Sequence, residues 1–185
     1  MALYCRRRVR ALEEQIEATA RAAGAARVGF ASRDRLLDSP PSAHPERVLS
    51  SARSASAVAF SLDGATQRAF LAKRDRLAHC HERKRLAQRV YALSDRLVEL
   101  LRARGHEARG VDVNNVYRAE PGARDVTEMT EFLPDFSHRY AAVAAGLGRL
   151  GWSGNLLTPE HGAMVELGTV LTSATLEPSP LLEHD

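Results

Sequence analysis

"AAVAAGLGRLGWSGNLLTPEHG" runs from Ala141 to Gly162, and its reading decides the fold. Within it, Gly146-Leu147-Gly148-Arg149-Leu150-Gly151 spells G-x-G-x-x-G, the turn that cradles a dinucleotide pyrophosphate. Such a turn needs a strand before it and a helix after it, because the pyrophosphate rests on that helix's N-terminus. The order here is inverted. Ser137–Ala145 has the alanine-rich pattern of a helix, whereas Trp152–Pro159 holds Gly154, Asn155 and Pro159 and cannot propagate one. The nucleotide reading fails on that order. A helix cap at Gly146 explains one glycine. Four glycines in nine residues, with Asn155 and a single tryptophan, exceed what a cap requires. Glycine lets backbone come close to a large flat partner, and an indole can lie against one.

Outward from this stretch, helical and strand patterns alternate. Val9, Leu12, Ile16 and Ala20 recur at helical spacing, and Gly24 is placed to close that helix. "ARVGFAS" (26–32) reads as a short buried strand. Ser39–Pro45 excludes regular structure, because its prolines lack donors and restrict the residues before them. A short helix is predicted over Pro45–Leu49, then a strand centred on Ala57–Leu62. The longest helix is predicted over 77–104, with Leu86, Val90, Leu93, Leu97 and Leu101 on one face and Gly105 ending it. "HEARGVDV" (106–113) looks like another strand. Residues 114–134 show no clear period and read as a long irregular connection, a kind of segment that often carries function. "AMVELGTVLTS" (163–173) is a strand, and the polar tail over 176–185, with two prolines, is expected to fray. With no repeat and no linker, residues 1–185 form a single domain of α/β or α+β class.

Composition excludes several function classes. At 185 residues and 44% hydrophobic, the chain can bury a core. No apolar run approaches the roughly 18 residues of a membrane helix, and the first thirty residues lack a signal-peptide core, so a soluble cytoplasmic protein without a membrane partner is expected. Cys5 and Cys80 fit free thiols in a reducing compartment, and two cysteines cannot form a four-cysteine site. The net charge of +3 comes from arginines spread among acids, the pattern of solvated helix faces. "RRRVR" at Arg6–Arg10 reads as a solvated helix start, and with aromatics scarce a nucleic-acid partner has no support. His79-Cys80-His81 invites a metal reading. Adjacent side chains on a helix diverge, so no metal site is predicted.

"DFSHRYAAVAAGLGRLGWSGNLLTPEHGAMVELGTVLTSATLEP" (135–178) resembles the cobalamin-binding domain of epoxyqueuosine reductases and their relatives, including reductive dehalogenases. That family carries A-G-L-G-x-x-G-x-x-x-x-L-x-T/S-P-x-x-G, matched here from Ala145 to Gly162. The order of upstream elements follows it too, so the likeness covers almost the whole chain. It implies a nitroreductase-like central sheet flanked by helices, with cobalamin held over it. By the same likeness, the corrinoid is held by Gly146, Gly148, Gly151, Trp152, Ser153, Gly154, Asn155, Leu156 and Thr158. The cofactor performs the reduction and a nearby acid supplies a proton. The family's catalytic aspartate has its candidate match in Asp135, at a shorter spacing from the A-G-L-G segment than in epoxyqueuosine reductase. Tyr117, Tyr140 and His138 are alternative donors: a tyrosine titrates at about 10, a histidine near neutrality.

Plainer readings stand beside these roles. Asp135 is equally a helix N-cap, a position for which Ser137 competes. His138 on a helix's first turn reads as a surface residue, and Tyr117 and Tyr140 as packing at the core edge. Arg118 and Arg139 bind an anion, or pair with Glu120 and Asp135. The chain departs from the family in its cysteines. Relatives continue into a ferredoxin-like segment with two C-x-x-C-x-x-C-x-x-x-C-P runs, and each four-iron cluster needs four thiolates. This sequence is therefore expected to draw electrons from an iron–sulfur or flavodoxin-type partner, or to be part of a longer reductase. Three readings stay open: a cobalamin-dependent oxidoreductase domain, a non-catalytic corrinoid-binding or interaction module, and a flavin-binding nitroreductase-like protein. A modified base, an organohalide or another small molecule is compatible as substrate.

Overall fold

A computed structural model describes residues 2–112 and 136–182, with backbone alone over residues 2–10. Helix α1 (Ala2–Ala22) turns Leu12, Ile16 and Ala20 into the core and is closed by Gly24 at φ +83°. Strand β1 (Arg27–Ser32) runs straight into helix α2 (Arg33–Leu37), whose first turn is capped by the Ser32 hydroxyl. The proline-rich stretch that follows forms two single 3-10 turns, Pro41–Ala43 and Pro45–Arg47. The second replaces the helix expected over Pro45–Leu49: a proline starts a turn well, but here only one turn forms. Strand β2 (Ser54–Ser61) leads into helix α3 (Gly64–Leu71), which the sequence reading missed. Asp63 caps it, its carboxylate accepting from the Thr66 N–H at 2.8 Å. Helix α4 (Arg76–Ala103) begins on a similar cap, Asp75 to Ala78 at 2.9 Å, and buries the five predicted residues from Leu86 to Leu101. Strand β3 (Ala108–Gly110) is shorter than expected. After residue 135 come helix α5 (His138–Ala144), the two-residue strands β4 (Arg149–Leu150) and β5 (Leu156–Leu157), and strand β6 (Val165–Thr172).

Strands β1, β2, β6 and β3 form one sheet in that order, antiparallel at each pairing. The fold is thus a mixed one, with helices covering both faces of the sheet. Because successive side chains alternate between faces, each strand serves two cores. One face carries Phe30, Val58, Phe60 and Val170 beneath α1 and α4. On this side Gly168 lets α4 approach, since a Cβ there would lie 2.6 Å from Val90 Cγ1. The opposite face is floored by small residues, Ala31, Ala55, Ala57 and Ala59, beneath α2 and the alanines of α5. A Cβ at Gly29 would stand 2.2 Å from the Ala145 carbonyl oxygen. Helix α5 therefore sits as close to the sheet as backbone permits.

Within the described residues the tail makes specific contacts with the domain. Leu176 is 1% exposed in the α1–α4 core, and its N–H donates to Ser54 Oγ at 3.0 Å. Ser179 pairs with the outer edge of β1: its N–H donates to the Phe30 carbonyl, and the Phe30 N–H donates to Ser179 Oγ, both at 2.9 Å. Arg35 holds the Ser179 carbonyl at 2.6 Å. A polar composition concealed this, because one leucine and a few backbone bonds suffice to dock an extended segment. Two substitutions check these contacts by urea unfolding. Gly29→Ala is expected to cost about 2 kcal/mol or more through overpacking against Ala145. Leu176→Ala is expected to cost about 2–5 kcal/mol, where a frayed tail predicts a change within about 0.5 kcal/mol.

Candidate functional site

Helix α5 delivers the chain into the glycine-rich segment. Its C-terminus is a Schellman turn, with the Gly146 N–H donating to Val143 and the Leu147 N–H to Ala142, both at 2.9 Å. Gly146 takes the left-handed φ of +72° that this turn requires. A Cβ on Gly146 would fall 2.1 Å from the Pro180 carbonyl oxygen, one on Gly148 2.4 Å from that of Leu157, and one on Gly151 2.9 Å from Leu157 Cδ1. The close approaches that demand these three glycines are therefore to the chain itself. Strands β4 and β5 form a small hairpin, tightened by Gly151 N–H to the Asn155 carbonyl at 2.9 Å, with Trp152 fully exposed at its tip. The following T-P-x-x-G closes on itself. Thr158 and Gly162 exchange two backbone bonds of 2.9 Å, and the His161 N–H donates to the Thr158 hydroxyl at 3.2 Å.

Four arginines fasten this region. Arg27 meets both Glu160 carboxylate oxygens at 2.7 and 2.8 Å and reaches the Gly146 carbonyl at 3.5 Å. The hydrogen bond from Arg27 holds the Glu160 carboxyl below its usual range. Arg35 donates to the Ala144 carbonyl at 3.2 Å, Arg149 to that of Leu182 at 2.9 Å, and Arg139 to that of Gly154 at 2.5 Å. Helix C-termini leave carbonyls without intrahelical partners, and guanidinium donors satisfy them while opposing the negative end of the helix.

His138 is the largest correction to the sequence reading. It is 2% exposed, not a surface residue. Its Nε2 lies 2.8 Å from the Asp112 carbonyl oxygen and its Nδ1 2.9 Å from Thr169 Oγ1. A carbonyl only accepts, so Nε2 carries the proton and the Thr169 hydroxyl donates to Nδ1. Burial pushes the imidazole below its ordinary pKa, and the Asp112 contacts oppose that in part. With both nitrogens engaged and the ring buried, His138 ties α5 to Thr169 on β6 and to the Asp112 backbone.

The remaining candidates divide by exposure. Asp135 and Tyr117 lie outside the described residues, as do Arg118 and Glu120. Tyr140 is half-buried on α5, two residues from His138. Gly146, Gly148, Leu156 and Thr158 are buried and shape the hairpin from within. Trp152, Ser153 and Asn155 are exposed, with Gly151 and Gly154 half-buried between them, so a ligand can reach these five. Asn155 Nδ2 donates to Ser153 Oγ at 3.2 Å, which orients the pair. Among the described residues no three His, Cys, Asp or Glu side chains gather as a metal site. His79 instead stacks on Phe70, with ring centroids 4.0 Å apart, and bonds Gln67. Arg139 bonds the Gly154 carbonyl, while its expected carboxylate partner, Asp135, lies outside the described residues. Asp112, Thr169 and the fastening role of the arginines carried no local sequence signal.

The neutral, buried imidazole gives stability a pH dependence of definite sign. The unfolded chain takes up a proton near pH 6.5 and the folded chain resists it, so this contribution is complete above about pH 6.5 and is lost as pH falls below it. Urea midpoints are expected to drop between about pH 7.5 and about pH 5, with a shallower drop in His138→Gln. An equal slope in both proteins assigns the dependence to other groups.

No protein-family model and no curated protein matches the chain. Solved structures do. Epoxyqueuosine reductase from Bacillus subtilis is 18% identical with a TM-score of 0.58, over 96% of this chain and 49% of that one. The Streptococcus thermophilus epoxyqueuosine reductase gives 16% and 0.60, over 93% of this chain and 48% of that one. A reductive dehalogenase whose structure addresses B12-dependent dehalogenation gives 22% and 0.56, over 93% of this chain and 21% of that one. The chain thus spans about half the length of the reductases it matches. It has the fold of the matched portion of epoxyqueuosine reductases and reductive dehalogenases.

Proposed function

We propose that this chain is the cobalamin-binding part of a reductase of the epoxyqueuosine reductase or reductive dehalogenase type. The observation that carries the reading is a fully exposed indole on a fastened hairpin, in a fold otherwise found in those enzymes. Exposing a tryptophan on an ordered turn leaves a large apolar face without a partner, and such faces mark binding surfaces. The residues fit a corrinoid. Trp152 offers a flat apolar surface, and Leu150 and Leu157, 38% and 43% exposed, extend the apolar area along the hairpin. Ser153 and Asn155 place a hydroxyl and an amide beside it, the groups that pair with amide side chains at a macrocycle's rim.

A bound corrinoid supplies strongly reducing cobalt. The protein's part is to hold the macrocycle through Trp152, Ser153 and Asn155 and to bring a proton to the substrate. His138 is committed to the Asp112 carbonyl, so the donor is the Asp135 carboxyl, with Tyr117 or Tyr140 Oη as the alternatives. Electrons come from an iron–sulfur or flavodoxin-type partner, and a modified base or an organohalide is the substrate class. Among the described residues no helix is long and apolar enough to cross a membrane.

Purified protein mixed with hydroxocobalamin is expected to carry the corrinoid spectrum through gel filtration and to lose Trp152 fluorescence. Trp152→Ala should weaken binding about tenfold or more. Absence of corrinoid from a folded protein peak overturns the reading. With a low-potential chemical reductant, Asp135→Asn should keep corrinoid affinity and lose reduction of two probes, a halophenol and an epoxyqueuosine-bearing RNA stem-loop. Retained reduction removes Asp135 from the donor role, and wild-type binding without any reduction favours a corrinoid-binding module.

A further inference from the structure

We propose that Arg139 is a positioning residue that fixes the Trp152 tip. Its guanidinium reaches across from α5 and donates from Nη1 to the Gly154 carbonyl at 2.5 Å. Gly154 follows Trp152 by two residues and turns the hairpin at φ +70°, so its carbonyl direction and the indole's orientation are set by the same turn. A Cβ at Gly154 would lie 3.4 Å from Arg139 Nη1, which places the guanidinium against the turn itself. Among the described residues, the other bonds of the tip are internal: Gly151 to Asn155, Gly154 to Gly151, and Asn155 to Ser153. Among the described residues, Arg139 is the one side chain outside residues 151–155 that bonds them. Arg27 and Arg149 hold the base of the segment, at Gly146 and Leu182, and leave the tip to Arg139.

Two features show why an arginine stands at this position. It lies in the first turn of α5, which holds no acidic residue, and the N–H groups that a helix start leaves without intrahelical partners disfavour a cation there. The carbonyl bond offsets that disadvantage. The helix beneath is also a firm base, packed on the alanine floor and tied at His138 to β6 and to Asp112. Arg139 transmits that rigidity across to the tip. Its influence on corrinoid affinity rests on the function proposed above; its hold on the tip does not.

Trp152 is the sole tryptophan, so indole fluorescence reports on the tip alone. In the ligand-free protein, Arg139→Ala is expected to lower Trp152 anisotropy while the thermal midpoint stays within about 2 °C, because the side chain is exposed. Arg139→Lys keeps one donor for one carbonyl and should restore much of the anisotropy, whereas Arg139→Gln, shorter and neutral, should not. Hydroxocobalamin affinity should fall about tenfold in Arg139→Ala and recover in Arg139→Lys. Unchanged anisotropy in Arg139→Ala overturns the positioning role. Lowered anisotropy in a protein whose wild type binds no corrinoid upholds the positioning role and overturns the function.

Discussion

Helix α5 lies against the sheet so closely that a methyl group at Gly29 would meet the Ala145 carbonyl oxygen at 2.2 Å. Everything at the candidate site follows from that approach. The floor is Ala31, Ala55, Ala57 and Ala59, and the helix answers with Ala141, Ala142, Ala144 and Ala145. Two alanine surfaces bring backbones together where leucines would hold them apart. Only at this distance does His138 reach Thr169 on β6. Only from this position does the Schellman turn at Gly146 send the chain beneath Pro180 and into the hairpin. Larger residues on either side would add apolar burial and lose the geometry, so the local composition favours placement over core volume.

Polar contacts then fix what the packing has placed. The arginines around the hairpin act mainly through direction. Arg27 and Glu160 form an ion pair at 2.7 Å, but the carboxylate is half-exposed, and screened pairs of this kind add little to stability. Their effect is to hold the 158–162 turn against Gly146. His138 is different, because its partners are buried and leaving either one unpaired carries a desolvation penalty. On the far face, Glu166 is buried beside Arg83 at 2.9 Å, and burial raises its carboxyl above the usual range despite that cation. Buried polar groups thus tie helices to the sheet on both sides.

The sequence disclosed those elements whose pattern is local. The apolar stripe of α4 repeats over four turns, and its bounds came within one residue. The order expected around the glycine segment, a helix before it and none directly after, is the order the structure has. Its glycines were less transparent: a demand for close approach is visible in sequence, but the approaching group is not. At Gly146 and Gly148 it proved to be residues 180 and 157 of the same chain. His138 was misjudged for the same reason. A first-turn position does not tell which way a side chain faces, and its partners lie 26 and 31 residues away. Helix α3 had a legible cap in Asp63 and Thr66, but eight residues with no buried side chain offer no apolar stripe to find.

The pairing of Ser179 with Phe30 bears on how the protein behaves among other copies of itself. Strand β1 is an outer edge of the sheet, and an outer edge presents unpaired donors and acceptors to any extended chain nearby. Ser179 engages both backbone groups of Phe30, so a stretch with no regular secondary structure occupies those two positions of the edge in place of another strand. Without Ser179, both backbone groups of Phe30 stand open to a neighbouring extended chain.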